Sequence, residues 1–114
     1  MSEAFDRQEL LDELDGDREF LEESLEVLDA DAQKLIDQIR AGAEAQDAEQ
    51  IRMAAHTLKS MVGNFCAPRA FEAAFNVESI GRSGELSQCA ERLALLESEV
   101  NRLRKELRVL LNEL

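Results

Sequence analysis

The sequence predicts an all-α protein: an antiparallel, up-down-up-down four-helix bundle with a short N-terminal capping helix, built as a single domain over residues 1–114. Three observations carry this. Apolar residues recur at steps of three and four along each long segment, which is the spacing of one helix face. With one Pro and 5 Gly, helix breaks are few and readable. No run alternates with period two between turn residues, so no strand is expected. Short links between long amphipathic helices then make successive helices antiparallel neighbours.

The elements follow in order. Phe5 to Leu14 is short and amphipathic, with Leu10, Leu11 and Leu14 apolar. Asp15-Gly16-Asp17 stops it, and Asp17 is placed to cap the next helix. That second helix is expected from about Arg18 to Arg40, with Leu21, Leu25, Leu28, Ala32, Leu35 and Ile39 as its packed seam and Gly42 as its end. Asp47 and Gln50 form a D-x-x-Q start resembling a capping box for a helix over Ala48 to Phe65. Pro68 suits the first turn of the following helix, where a missing N–H costs nothing. That helix is expected to reach Gly81 or Ser83, with Gly84 breaking it. The last begins near Glu85 or Leu86. Leu93, Leu96, Val100, Leu103, Leu107, Leu110 and Leu114 alternate by three and four along it.

Composition excludes several functions. The chain has 25 acidic against 13 basic side chains, a net charge of -12. Nucleic-acid binding needs cations that displace counterions from phosphates, so this balance argues against it. No apolar run approaches the roughly 20 residues of a membrane span. Met1-Ser2-Glu3 opens no secretory signal. The two cysteines, Cys66 and Cys89, form no disulfide framework and no zinc spacing, and are expected to be packing residues. A soluble, cytoplasmic, reduced protein is expected. One His excludes any site that needs two imidazoles.

That His lies on the third helix. On a helical wheel with His56 at zero, Ile51, Ala54, Ala55, Leu58, Met61, Val62 and Phe65 fall between about 140° and 260°, one apolar arc opposite it. Glu49, Arg52, Lys59, Ser60 and Gly63 fall within about 60° of it on either side. His56 therefore points to solvent. Arg52 at i-4 and Lys59 at i+3 flank it with positive charge, Ser60 and Gly63 are small, and Met53 is the one large apolar neighbour. An exposed, neutral imidazole is a nucleophile, small neighbours let a partner surface approach, and the cations can hold a phosphoryl group's charge. A mid-helix Gly costs about 1 kcal/mol against Ala, so access is a reason for Gly63. The same spacing also describes an ordinary solvated His, and spacing alone does not choose.

The fourth helix presents a broad apolar arc of Ala70, Phe71, Ala73, Ala74, Phe75, Val77, Ile80 and Gly81. Glu78 falls near its middle, where a carboxylate is costly without a partner. Two readings stay open. Glu78 accepts from the imidazole Nδ1–H of the neighbouring helix and leaves Nε2 free, or it sits at the edge, where it reaches water or pairs with Arg82 at i+4.

Ala55-His56-Thr57-Leu58-Lys59-Ser60, with Gly63-Asn64-Phe65 and Ala67, resembles the signature of histidine-containing phosphotransfer (HPt) domains. Phe5-Asp6 through Asp17 is similar to that family's opening segment, and Val77 through Arg82 to the end of its next helix. The resemblance implies the same bundle. It implies that His56 is phosphorylated, that Lys59 is the cation beside the phosphoryl group, that Ser60 and Gly63 admit the partner, and that Glu78 hydrogen-bonds the imidazole. Two positions depart from the pattern: Met61 stands where Ser or Ala is usual, and Cys66 where Gly is usual. The first bears on packing and the second on turn geometry; neither removes a chemical group.

The implied reaction is reversible phosphoryl transfer between His56 and an aspartate of a response-regulator receiver domain, including one carried by a hybrid sensor histidine kinase. No Gly-rich phosphate loop or ATP site is present, so no autokinase activity and no cofactor of the protein's own are expected. Mg2+ would belong to the receiver. Arg52, Met53, Ser60 and Gly63 are the expected docking surface. A freestanding monomer is expected, with a dimer through the C-terminal helix as the variant state. The competing function is a non-catalytic bundle or coiled-coil adaptor using the Leu93–Leu114 seam. An acidic DNA mimic rests on charge alone, and the acidic residues are spread over solvated faces.

Overall fold

The computed structural model describes residues 3–114; Met1 and Ser2, part of the stretch read above as lacking a signal, lie outside the described residues. Among the described residues five α-helices follow in order: α1 (Arg7–Leu14), α2 (Arg18–Glu44), α3 (Ala48–Gly63), α4 (Pro68–Ser83) and α5 (Cys89–Glu113), the last entered through a short 3-10 turn, Leu86–Gln88. No strand occurs among the described residues. Helix α3 packs on α2 and α4, and α5 closes the square against α4 and α2. The 27 residues of α2 span about 40 Å at 1.5 Å each, which sets the 44 Å long axis.

Aspartates start three of the helices. Asp6, Asp17 and Asp47 each accept from the backbone N–H three residues on, at 3.0–3.1 Å. Each satisfies a donor that a helix start otherwise leaves unpaired, worth about 1 kcal/mol. The Asp47–Gln50 box is only half formed: Gln50 Nε2 instead donates to Gln38 O, tying α3 to α2. Pro68 occupies the first turn of α4, and Gly84 ends it at φ 78°.

The core runs through all the long helices. It contains Leu21, Leu25, Leu28, Ala32 and Ile39 of α2, as the periodicity predicts, but Ile36 takes the buried place expected of Leu35, which packs at the margin. Gly42 does not end α2. The helix runs to Glu44, and Gly42 lies buried where α3 turns back. A Cβ there would come within 3.0 Å of Ile51 and 3.3 Å of Asp47 O. Its small size serves a close approach rather than a stop. Helix α3 likewise ends at Gly63, two residues earlier than expected. Phe65 remains buried in the turn that follows.

In that turn Cys66 adopts φ 55°, the left-handed conformation that glycine takes without cost. Its carbonyl accepts Asp6 N–H at 2.7 Å, and Ala4 N–H donates to Glu106 Oε1 at 2.8 Å. The segment before α1 is thus fastened to the α3–α4 turn and to α5, and Ala4, Phe5, Leu10 and Leu14 join the core. The short helix caps one end, as expected. On α5, Leu93, Leu96, Val100, Leu103, Leu107 and Leu110 are buried, whereas Leu114 is exposed. The seam faces the bundle and is used up there.

Candidate functional site

Helices α3 and α4 approach closely because of Gly81. A Cβ at that position would lie 2.6 Å from Arg52 N and 2.8 Å from Ala48 O, both backbone atoms that cannot step aside. One helical turn earlier on α4, Glu78 therefore faces α3 at short range. Its side chain is 1% exposed. On α3, Ile51, Ala54, Ala55, Leu58 and Val62 go to the core, which leaves His56 on the outer face with its side chain 55% exposed.

The two residues meet. His56 Nδ1 lies 2.8 Å from Glu78 Oε2. Glu78 Oε2 also accepts from Arg82 at 3.0 Å, and Lys59 Nζ forms an ion pair with Oε1 at 2.7 Å. Both sequence readings of Glu78 thus hold together: it binds the imidazole and it pairs with Arg82. It does not reach water. Burial by itself pushes the Glu78 carboxyl pKa up; the hydrogen bonds and charges of Lys59 and His56 outweigh that and hold it below its ordinary value of 4.5. An ionised carboxylate has no proton to give, so the Nδ1···Oε2 bond places the ring proton on Nδ1. Nε2 is then the nitrogen with the free lone pair.

The other expected residues surround this pair. Ser60, Gly63 and Met53 are exposed on the His56 side of α3. Arg52 donates to Glu49 through Nε at 2.9 Å, with a second, very short contact through its terminal nitrogen, so its charge is partly matched on its own helix. Lys59 is drawn inward by Glu78, its side chain 18% exposed.

The periodicity assigns Phe71 and Phe75 to the apolar arc of α4, and here the structure corrects it: both rings are exposed, 43% and 46%. Lys59 Nζ lies 5.7 Å and 5.6 Å from their centroids. They belong to the surface around His56 rather than to the core. The signal was a second aromatic at i+4 on a helix whose core side is already filled by alanines at Ala70, Ala73 and Ala74. Met61, the departure noted above, packs at the core margin. Cys66 is half-buried, and burial together with Glu13 and Glu9 pushes its thiol up to about 12. Cys89 is buried, and both cysteines are free.

Comparison with known proteins agrees with this geometry. The family model described as the Hpt domain matches residues 7–106. The chain belongs to the Hpt domain family, the histidine phosphotransfer proteins of two-component phosphorelays. Its structure is similar to the crystal structure of histidine-containing phosphotransfer protein B (HptB) from Pseudomonas aeruginosa PAO1, with a TM-score of 0.88 at 20% identity, over 100% of this chain and 99% of that one. At that identity the likeness concerns the fold. No curated protein matches the chain.

Proposed function

We propose that His56 is the phosphoryl carrier, and that it exchanges the group with the aspartate of receiver domains, freestanding or in a hybrid sensor histidine kinase. The observation that carries this is the hydrogen bond between exposed His56 and buried Glu78. The Nε2 lone pair attacks the aspartyl phosphate, the N–P bond forms, and the P–O bond to the aspartate breaks, its electron pair leaving on the carboxylate oxygen. The ring becomes cationic while Nδ1 keeps its proton. Glu78, already ionised and fixed, offsets that charge without any rearrangement, which is the form of stabilisation that lowers a barrier most effectively. Such transfer depends on positioning and charge more than on covalent help from the protein. In this reading Lys59 meets the phosphoryl oxygens, and Met53, Ser60 and Gly63 form the docking rim with Arg52 at its edge. Any Mg2+ belongs to the receiver.

No helix among the described residues is long and apolar enough to cross a membrane. Free thiols at Cys66 and Cys89 fit a reducing cytoplasm. The adaptor reading is disfavoured because the α5 seam lies inside the bundle, and this burial supports the monomer reading. The test is incubation with receivers phosphorylated by acetyl phosphate, followed by mapping of the transferred label. Acid-labile phosphate on His56 is expected. Label that stays on the receiver, or that appears elsewhere on this chain, overturns the reading.

A further inference from the structure

Phe71 and Phe75 stand one turn apart on α4, the spacing that brings two helical side chains side by side. Large exposed aromatics with no place in the core call for a reason, and their geometry supplies one. The Lys59 ammonium lies over both rings, 5.7 Å and 5.6 Å from the centroids, and its remaining partner is Glu78 Oε1 at 2.7 Å. Gly63 makes room for the arrangement: a Cβ there would come within 3.3 Å of Phe71 Cδ2. Gly63 thus has a second role besides leaving the His56 surface open.

We propose that Phe71 and Phe75 form a two-ring clamp on Lys59, and that they are positioning residues for phosphoryl transfer at His56. The proposal rests on the reading of His56 as the phosphoryl carrier. A lysine chain loses much rotamer freedom when it is fixed, and a free surface lysine has to lose it during the reaction. Here the loss is taken beforehand. The ring faces attract the cation electrostatically. They offer no lone pair, so the ammonium donors not used by Glu78 stay available to phosphoryl oxygens. Lys59 lies one turn from His56 on α3. Without the rings, Glu78 alone would anchor the ammonium, and the chain would exchange with solvent-facing rotamers.

Exposed rings beside His56 will also touch a receiver, so a contact role must be separated from a positioning role. Loss of contact raises the receiver concentration needed for half-maximal transfer. Loss of positioning lowers the rate at saturation. The full chain is made with 3,4,5-trifluorophenylalanine at both positions, which keeps the ring shape and removes the negative charge from its face. Transfer is followed from a receiver phosphorylated with acetyl phosphate. The saturated rate is expected to fall by about 3- to 10-fold, the scale of a lost cation–π attraction at a partly exposed site, with the half-saturating receiver concentration unchanged within about twofold. The F71L/F75L chain is expected to lose at least as much. A fluorinated chain that transfers at the parent saturated rate overturns the clamp, and so does a loss confined to the half-saturating concentration. The two readings fail separately. If the parent chain carries its phosphate on a residue other than His56, the carrier assignment falls and takes the clamp with it. If the parent is labelled on His56 and the fluorinated chain matches it, only the clamp falls.

Discussion

Glu78 Oε2 and His56 Nδ1 are joined at 2.8 Å across the α3–α4 interface, a carboxylate sealed from solvent holding an imidazole that is mostly exposed to it. The burial matters for the chemistry. A carboxylate in the interior interacts more strongly with a developing ring charge than one in water does. It is kept ionised there by Lys59 and His56, with Arg82 as a third hydrogen-bond donor.

Glu78→Gln tests the charge while keeping the shape. An amide oxygen in the place of Oε2 still accepts from Nδ1–H and from Arg82, but the amide donors then take the place of Oε1 and face Lys59. The difference between a charge-assisted and a neutral hydrogen bond is on the order of 1–1.5 kcal/mol, so the transfer rate should fall roughly tenfold. Rapid-quench transfer from a phosphorylated receiver measures this; an unchanged rate would remove Glu78 from the account.

The same residue gives a pH dependence of stability. Its folded-state pKa is depressed below 4.5, so its contribution is fully present above that value and is lost as pH falls through the folded pKa. Denaturant titrations between pH 6 and pH 2 should show the gap between the parent chain and Glu78→Gln narrowing on the acid side only. A gap that stays constant below pH 4.5 would contradict the assignment.

Lys59→Ala should slow transfer without abolishing it. One charge-assisted contact to a phosphoryl group is worth about 1.5–3 kcal/mol, or roughly 10- to 100-fold in rate. The variant should also lose about 1–3 kcal/mol of stability, because a buried Glu78 oxygen loses its cation. Rate and urea midpoint should therefore move together, and complete loss of transfer would point to a different role.

Gly81→Ala should be costly although it adds only a methyl. The added Cβ meets the α3 backbone at 2.6 Å, and overpacking of this kind costs about 1–3 kcal/mol. It also pushes Glu78 away from His56, so a lower thermal midpoint should be accompanied by slower transfer. A variant as stable and as fast as the parent would show that the close approach is not needed.

Most of the fold was legible because three-four periodicity and Asp, Pro and Gly punctuation act locally: Asp17, Asp47, Pro68 and Gly84 stand where they were expected to stand. What was not legible depends on neighbours. Gly42 reads as a stop in one dimension, and only the return of α3 makes it a contact. Ile36 displaces Leu35 because a wheel cannot say which side of its apolar arc a neighbour will cover. The site divides in the same way. His56, Lys59 and the small residues could be read from the chain, and Glu78 from its misplaced charge. Phe71 and Phe75 were missed, because an apolar residue is assigned to the core by default, and these two become surface once the alanines of α4 fill the interface. Cys66 fills a position that favours glycine by accepting φ 55°, a strain of about 1–2 kcal/mol that sequence alone does not display.

The most direct test of the central claim is where the phosphorus goes on the ring. In 15N–31P correlated NMR of the phosphorylated protein, the account predicts phosphorus bonded to Nε2 of His56, with a protonated Nδ1 still hydrogen-bonded to Glu78. Phosphorus on Nδ1, or on any residue other than His56, would contradict it.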